Sequence, residues 1–144
     1  GGLDELFFAH MEEIDLCWRL QLAGWQIWSV SESVVFHVGG GTLPNNSPRK
    51  IYFNFRNNLL MMYKNLPQSS RNRKILFRQS VDGFFGILYM VMGKVSYTKM
   101  IVKAHKDFRR LKGQMKSTPQ LYPVPRSRKL LPLLVLKRLC RSHS

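Results

Sequence analysis

The sequence predicts an α/β chain with a compact mixed segment in front and a basic, mostly helical extension behind. Three observations carry this. Apolar residues repeat at a helical period over 11–23; β-branched and aromatic residues crowd 25–30 and 33–38; and beyond Pro48 long apolar runs are interleaved with Lys and Arg.

The first helix is predicted over 11–23. Ile14, Cys17, Trp18, Leu22 and Trp25 recur at three- and four-residue steps, and Glu12, Glu13 and Asp15 crowd the first turn, where the helix dipole favours anions. Gly24 is a natural stop. Asp15 and Arg19 stand four apart and can pair on one face. Two short strands follow at 25–30 and 33–38, with a Ser-Glu turn between them. Three glycines, Gly39, Gly40 and Gly41, then mark a sharp bend or a close approach to a ligand. The three tryptophans, Trp18, Trp25 and Trp28, read as core. Pro48 opens a second helix in which Ile51, Phe55, Leu59, Met62 and Leu66 recur, with Arg49, Lys50, Arg56 and Lys64 between them, and Pro67 closes it. Residues 81–92 form an apolar helix candidate and 94–116 a basic one. Three prolines between 117 and 128 indicate an extended connector, and 130–139 is a short apolar patch broken by Pro132. The organisation read from this is 1–47, 48–116 and a Pro-containing basic tail at 117–144.

Charge divides the same way. The net charge is +15, yet residues 1–48 carry six acids against Arg19 alone, and residues 49–144 carry 22 bases against Asp82 and Asp107. An acidic site in front and a cationic surface behind are expected. A hydrophobic content of 44% excludes wholesale disorder. The uncharged apolar run 83–93 falls short of the ~20 residues a spanning helix needs. Cys17 and Cys140 make no metal spacing and no disulfide framework, which fits a reducing compartment. Gly1 rather than Met at the start, with no basic-then-apolar leader, is expected of a piece cut from something longer.

Four stretches in order carry a resemblance: Gly1-Gly2-Leu3-Asp4-Glu5; Glu12-Glu13-Ile14-Asp15 opening a helix; Ala23-Gly24-Trp25; and His37-Val38-Gly39-Gly40-Gly41. Together they resemble the C-terminal part of the catalytic domain of family 2 glycosyltransferases, inverting enzymes with the GT-A fold. The resemblance is close over 1–42 and looser over 48–67. It implies a GT-A fragment on the acceptor side, transferring a sugar from a nucleotide-sugar donor to a glycan or lipid-linked acceptor in cell-envelope polysaccharide synthesis. By position, Glu13 becomes the general base that takes the acceptor hydroxyl's proton, where the family usually has Asp; Glu12 and Asp15 are the alternatives. Gly1, Gly2, Asp4 and Phe8 become substrate-binding residues, Phe8 as a stacking surface for a sugar ring. His37 becomes the contact to a divalent cation, Mg or Mn, or to the diphosphate. The Asp-x-Asp and strand–glycine–helix signatures of the donor half are absent from the chain, so the chain alone is expected to be inactive.

Each of these residues also has a plain structural reading. Acids in a first turn complement the dipole, Asp15 can simply hold Arg19, Asp4 can cap a turn, and a lone His at a strand end is often structural. His10 and His105 belong to no constellation. The cationic rear half suits an anionic membrane surface, which would place the protein in the cytoplasm, peripheral on the inner face of the cell membrane. The alternatives are a non-catalytic truncated homologue serving as a basic membrane- or partner-binding module, and nucleic-acid binding. No nucleic-acid motif and apolar runs too strong for a solvated arm weigh against the last.

Overall fold

The computed structural model describes residues 2–36, 44, 47–119 and 121. Among these residues the architecture is all-α. A 3₁₀ turn at Glu5–Phe7 leads to α1 (Glu12–Leu22), α2 (Pro48–Asn65), α3 (Gln68–Val91) and α4 (Val95–Leu111), and a second 3₁₀ turn follows at Lys112–Gln114. No strand occurs among the described residues, so the α/β class and the GT-A fragment are both overturned.

The reason lies in residues 25–36. The chain does turn at Ser31 and Glu32, where the Ser33 N–H donates to the Val30 carbonyl at 3.2 Å. Neither turn residue favours the left-handed geometry that aligns hairpin strands. A lone two-stranded ribbon is marginal in water, and the helices offer it no sheet edge. The flanking residues therefore run without a ladder, and Trp25 and Trp28 are 68% and 79% exposed instead of lying in the core. Trp18 does pack against the core.

The helices begin and end on legible chemistry. The Ser47 side chain accepts from the Lys50 N–H at 3.2 Å and Pro48 occupies the first position of α2. α1 and α3 end in the same device. Gly24 and Gly93 take φ of 88° and 73°. The N–H groups of Trp25 and Lys94 then reach back to the carbonyls of Leu20 and Tyr89, each at or just under 2.9 Å. α4 is the central packing element, lying against α2 and α3, and α1 rests on α2. Phe7, Leu59, Leu60, Met61, Ile75, Phe108 and Met115 form the main core. Phe55, Ile101 and Ala104 extend it toward the α3–α4 turn. There the Thr98 hydroxyl donates to the Gly86 carbonyl at 2.8 Å.

Candidate functional site

The face of α2 turned to the N-terminal segment is polar and buried. Arg56 and Asn57 are 8% and 0% exposed. The Asn57 side-chain amide lies 2.8, 2.7 and 2.8 Å from the carbonyl oxygens of Phe7, Ala9 and His10. Arg56 donates to the carbonyls of Leu6 and Phe7 at 2.9 and 3.1 Å, and to the Asn57 side-chain oxygen at 2.8 Å. These donors hold a strained loop. Phe8, His10 and Met11 all have positive φ, at 62°, 67° and 74°, although none is glycine. Each such residue costs about 1–3 kcal/mol and persists only where its surroundings over-determine it.

The loop delivers the acidic start of α1. Glu13 is exposed to solvent. Glu12 has a buried carboxylate oxygen, and His10 a buried Nε2, that lack a hydrogen-bond partner. Burial, and then the nearby Lys50 charge, hold His10 below the usual histidine range, with Glu12 and Glu13 pulling the other way. Phe8 is 63% exposed and stacks on Phe53 with ring centres 5.3 Å apart, while the Arg49 guanidinium lies 5.6 Å from the Phe8 ring centre.

A second group gathers one turn further along α1. Asp15 is fully buried and accepts from Arg19, Lys64 and Asn65 at 2.8, 2.9 and 2.7 Å. Lys64 also reaches Asp4 at 2.7 Å, and Asp4 caps the 3₁₀ turn through the Leu6 N–H at 3.1 Å. Burial pushes the Asp4 carboxyl up, but Lys64, the Leu6 N–H and Arg19 together outweigh it and leave the group below the usual aspartate range. Asp4, Arg19, Lys64 and residues 114–119 line a shallow cleft of about 490 Å³.

The structure therefore sorts the predicted residues into two groups. Asp4 and Asp15 meet through Lys64, with every carboxylate oxygen of Asp15 engaged. Phe8, Glu12 and Glu13 stand at the strained loop. Gly2 is exposed and its carbonyl accepts from Arg19 at 2.7 Å. Gly1, His37 and the glycines 39–41 lie outside the described residues, as do Cys140 and the apolar patch at 130–139. Among the described residues no three His, Cys, Asp or Glu side chains gather to hold a metal ion. Arg56, Asn57, Lys64 and Asn65, which build both groups, read in the sequence as ordinary helix surface or went unremarked. One signal was present: residues 53, 57, 60 and 64 share the inward face of α2, and a polar residue at 57 on that stripe asks for partners.

No protein-family model matches the chain, and no curated protein and no solved structure is significantly similar to it. No helix among the described residues is long and apolar enough to cross a membrane.

Proposed function

We propose that the chain supplies the acceptor-activating side of an enzyme that moves a sugar, with inversion, from a nucleotide-sugar donor to a hydroxyl of a glycan or lipid-linked acceptor. The observation that supports it is the strained loop. Three left-handed residues, clamped by Arg56 and Asn57, stand immediately before an acidic pair whose second member faces solvent. Strain that a fold maintains with dedicated buried donors is concentrated where geometry matters for chemistry.

In this reading the Glu13 carboxylate accepts the acceptor hydroxyl's proton as that oxygen bonds to the anomeric carbon. The bond from the carbon to the diphosphate breaks at the same time, and its electron pair leaves with the phosphate oxygen. Glu12 sets the local charge, and the open Phe8 ring offers a stacking surface for the acceptor sugar. Asp15 holds the architecture through Lys64 and Arg19. The donor diphosphate is bound by groups other than those described, and the protein works peripherally on the inner face of the cell membrane. The reading rests on site chemistry and not on fold.

The test compares Glu13→Gln with the wild type in the full-length gene product, using a nucleotide-sugar donor and a lipid-linked acceptor. A loss of kcat of about 10²-fold or more, with KM near the wild-type value, is expected for a general base. Undiminished turnover by Glu13→Gln overturns the assignment.

A further inference from the structure

The outward face of α3 is apolar along most of its length. Leu76, Phe77, Phe84, Ile87, Leu88 and Val91 are all exposed, with Phe77, Phe84 and Val91 at 71%, 65% and 81%. Positions 77, 84 and 91 recur every seven residues, opposite the buried positions Ile75, Asp82 and Gly86. The stripe from 76 to 91 is about 22 Å long. Between 75 and 93 the charged side chains are Arg78 and Asp82, and they pair with each other at 2.7 Å on the inward side, where Asp82 is fully buried. The stripe itself carries no charge, and bases stand at both of its ends: Arg73 and Lys74 before it, Lys94 after it, all exposed.

That arrangement selects among occupants. A second copy of this chain laid on the stripe sets Arg73 and Lys74 against the same bases if the helices run parallel. It sets them against Lys94 if they run antiparallel. Both pairings bring like charges together. An anionic bilayer surface fits instead: its interface accepts the apolar rings, and its phosphates meet the bases at both ends of the strip.

We infer that the α3 face 76–91 is a membrane-docking surface that lies in the headgroup plane of an anionic bilayer, with Phe77 and Phe84 inserted and Arg73, Lys74 and Lys94 on lipid phosphates. The inference rests on the peripheral membrane placement proposed above and is independent of the chemistry at Glu13, so vesicle binding and sugar transfer fail separately.

The experiment is sedimentation of the full chain with phosphatidylcholine vesicles made with and without phosphatidylserine. The wild type binds the anionic vesicles. Phe77→Asp with Phe84→Asp weakens that binding by about tenfold or more, since it replaces two exposed rings that are not among the buried core residues. Charge reversal at Arg73, Lys74 and Lys94 weakens it too, whereas Leu3→Asp, at an exposed apolar position in the N-terminal segment, leaves it unchanged. Circular dichroism of each variant confirms retained helix. Equal binding by the double-Asp variant overturns the inference, as does the absence of binding to anionic vesicles. A wild-type dimer in sedimentation equilibrium that Phe84→Asp dissociates also overturns it, by assigning the stripe to a second copy.

Discussion

α2 turns Arg56, Asn57, Lys64 and Asn65 inward, whereas α3 turns Leu76, Phe77, Phe84, Ile87 and Val91 outward. Both helices mix apolar and basic residues, so composition does not decide which kind is buried. Partners decide. α2 meets a segment that presents the backbone carbonyls of Leu6, Phe7, Ala9 and His10 and the carboxylates of Asp4 and Asp15. Buried donors are favourable only against such acceptors, because an unpaired polar group in the interior costs roughly 1–3 kcal/mol. α3 has α4 on one side and Ile75, Asp82 and Gly86 facing it, and nothing described covers the other.

The largest expected effect tests the inward face. Lys64→Ala leaves the fully buried Asp15 with Arg19 and Asn65 alone and removes the partner of Asp4. Breaking a buried pair from one side costs about 3–5 kcal/mol, read as a lower urea midpoint. If Lys64→Ala is instead as mild as a surface change, the two faces do not differ in kind.

Asn57→Ala sharpens the comparison at the loop. It withdraws a donor from three carbonyls at once, with an expected loss of about 2 kcal/mol and faster amide exchange around residues 8–11. The smallest effect is a pH dependence. His10 is held below its ordinary 6.5 by burial and by Lys50. Below that value the unfolded chain therefore binds more protons at this position than the folded one, and stability falls as pH drops through and below 6.5. His10→Gln gives a shallower decline over the same window in thermal melts at a series of pH values.

Much of the helical frame was legible. The 3.6-residue repeat and Gly24 bound α1, and Ser47-Pro48 and Pro67 bound α2, because caps and proline act locally. α3 begins at Gln68, well before the predicted 81, because its first half carries few apolar positions and shows little period. The predicted strands at 25–30 and 33–38 do not form over their described residues, 25–36, since β-branched composition records a preference for a pleated surface, not the presence of a neighbour to pair with. The acidic start of α1 was visible in the sequence, but the strained loop before it was not. Phe8, His10 and Met11 are not residues that announce a left-handed backbone, and only the long-range bonds from Arg56 and Asn57 impose it. Asp15 shows the same limit: the i,i+4 partner Arg19 was readable, whereas Lys64, 49 positions away, was not.

Thr118 gives the molecule a reporter position. Its backbone N–H donates to the Lys64 carbonyl at 2.9 Å, and its hydroxyl donates to the Asn65 side-chain oxygen at 2.6 Å. The chain is thus stapled to the end of α2, beside the amide that steadies Asp15. A fluorophore attached at the exposed Leu121 sits three residues from that staple, so its anisotropy would register a disturbance at Asp15 or Lys64 without any probe entering the protein interior.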